Sequence, residues 1–140
     1  MAEHETVGKK RDENMQIEQY RQYLDMMNQW LIIKQEGKGI DRYLKRMGYC
    51  TVAIYGMAIY GRHVIRELNE GDIKIAYGID RKKMSPFNGI EILYPIGELP
   101  TVDVIINTVI HEHTAIKKDL VKIIDCPVVR LDDVVYESYE

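Results

Sequence analysis

The sequence predicts an α/β fold: a doubly wound parallel sheet of about five strands, ordered 3-2-1-4-5, preceded by two N-terminal helices. Three observations predict it. Short apolar runs at residues 51–55, 73–79, 102–107 and 127–131 alternate with segments of helical periodicity, the pattern of strand–helix–strand units. These runs are continuously apolar, as strands covered on both faces are. The first run passes through a glycine turn straight into a helix. Right-handed crossovers then place the first strand at the centre of the sheet.

A chain of 140 residues is long enough for one sizeable core. It divides into a helical segment, residues 1–48, packing on an α/β domain, residues 49–140. The net charge of -3 argues against a nucleic-acid partner, which calls for a basic stripe. Lys9-Lys10-Arg11 is followed at once by Asp12 and Glu13. The first sixteen residues lack the apolar core of a signal peptide, and no apolar run is long enough to span a bilayer. Cys50 and Cys126 lie far apart and do not form a metal-type pair. The expectation is a reduced, cytoplasmic protein with no membrane partner and no metal.

Residues 1–10 read as a frayed tail. Residues 11–36 lack Gly and Pro and read as a long helix with two apolar stripes. One stripe is Ile17, Tyr20, Leu24, Met27 and Leu31; the other is Tyr23, Met26, Trp30 and Ile33. Two readings stand open: a helix buried on two sides, or one whose second stripe meets another copy as a homodimer. Gly37 and Gly39 end this helix. Residues 40–47 form a short helix closed by Gly48. Strand 51–55 is followed by helix 58–69, with Val64, Ile65 and Leu68 facing inward. Strand 73–79 ends at Asp80-Arg81. Residues 81–88 read as a loop, 89–94 as a third strand, and 96–99 as one helical turn. Strand 102–107 precedes helix 111–121, whose inward residues are Ile116, Leu120 and Val121. Strand 127–131 is last, and Asp132-Asp133 reads as the cap of a helix over 134–139.

The chemistry concentrates at Gly56-Met57-Ala58-Ile59-Tyr60-Gly61. A strand, then G-x-A-x-x-G, then a helix is the context of a dinucleotide fingerprint. Gly56 supplies the tight turn, Ala58 lies where backbone approaches a pyrophosphate, and Gly61 lets the helix pack closely. The helix N-terminus offers free amides to phosphate oxygens. Asp80 lies at the end of the second strand, where an acid meets ribose hydroxyls, and Arg81 beside it is placed for adenine or a 2′-phosphate. Ala58 departs from the glycine usual at its position. Asn107 and Thr108, at the end of the fourth strand, are read either as nucleotide contacts or as a plain turn. His111 and His113 share the same sheet edge and read as a polar helix start, with a substrate contact or general base as the alternative.

Residues 51–131 resemble the Rossmann-like nucleotide-binding domain that begins the sugar-nucleotide dehydratases and epimerases of polysaccharide biosynthesis. The resemblance rests on Gly56 to Gly61, Ile79-Asp80-Arg81, Gly89-Ile90-Glu91-Ile92, Leu99, and Val102-Asp103-Val104-Ile105-Ile106-Asn107. It implies NAD or NADP, or a related nucleotide, at Gly56, Ala58, Gly61 and Asp80, and a link to surface-polysaccharide or glycosyl-transfer pathways. The N-terminal helices, with Trp30-Leu31 and Tyr43-Leu44, look like accessory segments beside such domains.

No tyrosine has a lysine four residues later, and neither Gly-x-Ser-x-Gly nor Gly-Lys-Ser/Thr occurs. Few residues follow the fifth strand, so no second nucleotide-binding half or substrate domain is present in this sequence. The expectation is an accessory or regulatory module that binds a nucleotide-type small molecule. The alternatives are a small enzyme acting on nucleotide sugars with a partner chain, and an interaction domain that has lost its ligand.

Overall fold

A computed structural model describes residues 2–140, with side chains from residue 7 onward. Five parallel strands form one sheet in the order β3-β2-β1-β4-β5. They are β1 (Thr51–Tyr55), β2 (Lys74–Ile79), β3 (Ile92–Leu93), β4 (Val104–Asn107) and β5 (Val128–Arg130). Register brings Tyr55 beside Ile79 and Asn107, so the carboxyl ends of the three central strands form one level edge.

Alternate residues of each strand feed two cores. Val52 and Ile54 of β1, with Val104 and Ile106 of β4, pack under α1 (Ala2–Gln35), α2 (Asp41–Arg46), α3 (Ile59–Leu68) and α5 (Leu131–Tyr139). Ala53, Tyr55, Tyr77 and Ile105 pack on the opposite face against Ile116 and Leu120 of α4 (His113–Leu120). This is the doubly wound arrangement expected. Met26, Trp30, Ile33, Ile40 and Leu44 belong to the first core, so the N-terminal helices are continuous with it.

Three segments are tied by polar side chains. Glu67 of α3 accepts from Trp30 Nε1 (2.8 Å) and from the Ile40 backbone N–H (2.7 Å), which joins α1, the start of α2 and α3. Ser138, fully buried on α5, donates to the Ile40 carbonyl (3.1 Å) and accepts from the Tyr43 N–H (3.3 Å). At the amino edge, Asp103 accepts from the Cys50 and Thr51 N–H groups (2.7 and 2.9 Å), which hold its carboxyl below the usual range.

Several boundaries differ from expectation, each for a local reason. The tail expected over 1–10 is helical from Ala2, because Ala, Glu and Lys carry the helix through Gly8; Met1 lies outside the described residues. The strand expected over 89–94 shrinks to Ile92–Leu93. Asn88 and Gly89 both take positive φ (50° and 76°), and Phe87 pairs antiparallel with Ile90, so an Asn-Gly turn uses the residues that precede it. Residues 95–97 form a bend and 98–99 are irregular, in place of the helical turn expected over 96–99. A 3-10 turn, Ile110–Glu112, precedes α4, and Val121 is exposed rather than buried. Asp132 and Asp133 lie inside the first turn of α5 and do not cap it; Asp132 instead holds Arg130 through two hydrogen bonds. Of the two stripes on α1, Met26, Trp30 and Ile33 are buried and Tyr23 half-buried. Ile17, Tyr20, Leu24 and Leu31 are exposed.

Candidate functional site

The glycine turn sits at the carboxyl end of β1. Gly56 has φ +87°, and a Cβ there would overlap Thr108 Oγ1. A Cβ at Gly61 would overlap the Gly56 carbonyl oxygen. Gly56 is thus required by its positive φ and by the Thr108 side chain against it, and Gly61 by the close approach of the turn's own backbone. Met57 is fully buried, with its side chain against Gly78 of β2. Ala58 and Ile59 are exposed at the start of α3, and no side chain caps that end. The first amides of α3 have no side-chain cap, and a helix N-terminus of this kind favours an anion.

Asp80 lies beside the turn. Its Oδ2 accepts from the Met57 N–H (2.9 Å) and its Oδ1 from the Lys82 N–H (2.8 Å). Each carboxylate oxygen keeps a further lone pair for a hydroxyl group. Asp80 is therefore a clamp on the glycine turn as well as a candidate ribose contact. Arg81 is exposed, 3.8 Å from Asp119 of α4. Burial pushes the pKa of the Tyr55 hydroxyl up, and Arg81 offsets part of that rise.

Asn107 and Thr108 are buried. Thr108 Oγ1 lies 2.9 Å from the Tyr55 carbonyl and 2.8 Å from the Gly56 carbonyl. Asn107 accepts from the Val109 N–H (2.9 Å), donates to the Val109 carbonyl, and meets His113 Nδ1 at 3.1 Å. Their polar atoms are engaged in shaping the loop that closes on the turn. His113 is held below the ordinary histidine range by burial, and further by Arg130 and Lys117. Its neutral form then accepts from Asn107 at Nδ1 and carries its proton on Nε2. His111, which is exposed, lies with Nδ1 3.2 Å from the Tyr23 hydroxyl.

Tyr23 is the residue that sequence reasoning placed only in packing. From α1 it reaches the carboxyl edge, where its ring stacks on Tyr60 of α3 (centroids 4.4 Å apart, 9° between planes). Its hydroxyl accepts from the Ile110 N–H (3.2 Å) and lies 3.1 Å from the Thr108 carbonyl. Burial pushes the pKa of this hydroxyl up, so it stays protonated. Only its membership of one of the two apolar stripes hinted at this, since a period gives the face of a helix but not what lies under it.

Two cavities open along the same edge. One, of about 410 Å³, lies between the ends of β1–β3 and α4, lined by Tyr55, Arg81, Tyr94, Pro95, Ile96 and Ile116. The other, of about 430 Å³, is lined by Arg81, His111, His113, Thr114 and Arg130. Arg81 and Ile116 border both. Tyr94, Ile96 and Arg130 were not anticipated, because they come from loops and strand ends that only the sheet brings together. Among the described residues, no three His, Cys, Asp or Glu side chains group as a metal site would require, and no helix is long and apolar enough to cross a membrane.

No protein-family model matches the chain, and neither a curated protein nor a solved structure matches it.

Proposed function

We propose that this chain is a nucleotide-binding module, with NAD or NADP the leading candidates, seated along the carboxyl edge of the sheet. The observation that carries the reading is the order of parts on that edge. The uncapped start of α3 lies at the glycine turn, Asp80 adjoins the turn, and the 410 Å³ cavity opens at Arg81. Phosphates would rest on the amides of residues 58–60 and ribose hydroxyls on Asp80. A base would enter the cavity between Ile96 and Ile116, under Tyr55, with Arg81 at its mouth. Its volume falls in the range of small-molecule pockets, and open α/β sheets take their ligands at this edge. The Ala58 methyl narrows the approach to the phosphates relative to glycine. In this reading the module serves an accessory or regulatory role.

The test is calorimetric titration and thermal shift with NAD, NADP, coenzyme A and nucleotide sugars, on the native chain and on Arg81→Ala. A ligand that binds only the folded state raises the melting temperature, by about 2.7 kcal/mol of stabilisation at a hundred times Kd. Arg81 is exposed, so its removal leaves the fold intact and should weaken a base or 2′-phosphate contact about tenfold. No shift with any of these ligands refutes the reading; a shift unchanged by Arg81→Ala moves the site away from this cavity.

A further inference from the structure

We propose that α1 pairs with α1 of a second copy, antiparallel about Leu24, so that the free half of each helix covers the groove between α1 and α3 of the other. The inference is separate from ligand binding. It starts from the length of α1: 34 residues, or about 51 Å. Among its described side chains, those that pack on the body lie in its C-terminal half. Among residues 7–21 every side chain is exposed except Gln19, which is half-buried. An uncovered helix of this kind is marginal in water, and what stabilises helices in proteins is packing of an apolar face.

The exposed face has the spacing of a helix partner. Ile17, Tyr20, Leu24, Met27 and Leu31 follow one another at intervals of three, four, three and four, the repeat of a coiled-coil seam. Ile17, Tyr20, Leu24 and Leu31 are 62, 73, 69 and 56 % exposed. Together they leave on the order of 500 Å² of side chain in water per copy, or about 1,000 Å² in a pair, which reaches the floor of a specific interface. The seam does not stop at the body. Met27 and Leu31 also line a 450 Å³ groove with Trp30, His63 and Arg66, so a helix laid along the seam meets α3 as well.

Charge selects both the occupant and its direction. Continuing the same repeat adds Glu13 before Ile17 and Lys34 after Leu31. Reversed about Leu24, the series maps onto itself to within one residue. Glu13 opposes Lys34, Ile17 opposes Leu31, Tyr20 opposes Met27, and Leu24 meets its own copy. A parallel pair would set Glu13 against Glu13 and Lys34 against Lys34, which is repulsive. The Lys34 ammonium lies 3.4 Å from Glu67 and is half-exposed, leaving donors free for the partner's carboxylate. A seam that is complementary to itself only when reversed is the property of an isologous two-fold interface.

The experiment is light scattering after size exclusion, at about 100 µM chain because assembly follows mass action. The expected result is twice the 16.4 kDa mass of one chain. Leu24→Glu and Tyr20→Glu, both at exposed positions, should each give a folded monomer of native circular dichroism. Direction is read by cross-linking in a background of Cys50→Ser and Cys126→Ala. Glu13→Cys and Lys34→Cys chains should form a disulfide when mixed and oxidised, and neither should do so alone. A monomeric native chain, or a dimer that survives both Glu substitutions, overturns the proposal. Disulfides within either single variant overturn the antiparallel direction.

Discussion

Glu67→Ala should be among the more damaging single substitutions outside the strands. The Glu67 side chain is 10 % exposed, and its two oxygens accept from Trp30 Nε1 at 2.8 Å and from the Ile40 N–H at 2.7 Å. Removing it leaves two donors without an acceptor at the junction of three helices. A hydrogen bond to a charged group contributes about 1.5–3 kcal/mol, and partial access of water to both donors recovers some of the loss, so about 2–4 kcal/mol is expected. The ion pair to Lys34, half-exposed, adds little. With an unfolding entropy of about 2.1 cal/mol/K per residue, the 140-residue chain should lose about 7–14 °C of melting temperature. Urea denaturation followed by circular dichroism measures the free energy. Fluorescence of Trp30, the sole tryptophan, reports the local change. Glu67→Gln keeps an acceptor for the indole and should lose about half as much. A Glu67→Ala protein within about 0.5 kcal/mol of the native chain would refute the clamp.

Gly61→Ala puts a methyl against the Gly56 carbonyl oxygen and should cost about 1–3 kcal/mol in urea while weakening any ligand seated on the turn. Asp80→Ala should destabilise the chain by about 1–3 kcal/mol even without ligand, since the Met57 and Lys82 amides lose their acceptor; Asp80→Asn, which retains a carbonyl oxygen, should lose less, and equal urea midpoints for all three proteins would remove the clamp. Tyr77, buried with its hydroxyl donating to the Pro100 carbonyl at 2.6 Å, has its ionisation pushed up to about 12. Unfolded, it ionises near 10, so its contribution is complete below pH 10 and is lost as pH rises from 10 through about 12. Tyr77→Phe should flatten that decline in urea midpoints. His113, lowered by burial, has the opposite sign: the unfolded chain takes up a proton near pH 6.5 before the folded one does, so stability falls as pH drops below that value. His113→Gln should reduce this acid loss in denaturation curves.

β1 and β4 were the most legible strands because each is a short apolar run that ends at turn residues and is buried in the middle of the sheet. The order of the strands followed from right-handed crossovers together with helices on both faces of the sheet. Gly56 and Gly61 were legible because their requirement is local: one needs positive φ, the other a missing Cβ against its own turn. Loops were less so. The strand expected over 89–94 is shorter because Asn88-Gly89 forms a turn that pairs Phe87 with Ile90 and so takes its first residues. Asp132-Asp133 looked like a cap because acids favour helix starts, yet the helix begins at Leu131 and Asp132 answers Arg130 instead.

The site divides along the same line. Periodicity and turn chemistry act within a few residues, so the sequence alone carried the α/β class, the sheet order, the glycine turn and the two stripes of α1. It could not say which stripe is buried, because both have helical spacing and only the body decides which one it covers. It could not join Asp80 to the Met57 amide, set Tyr23 on Tyr60, or gather Tyr55, Arg81, Ile96 and Ile116 around one cavity. Those are relations between residues distant in the chain, created when parallel strands align their carboxyl ends, and they exist only once the sheet has formed.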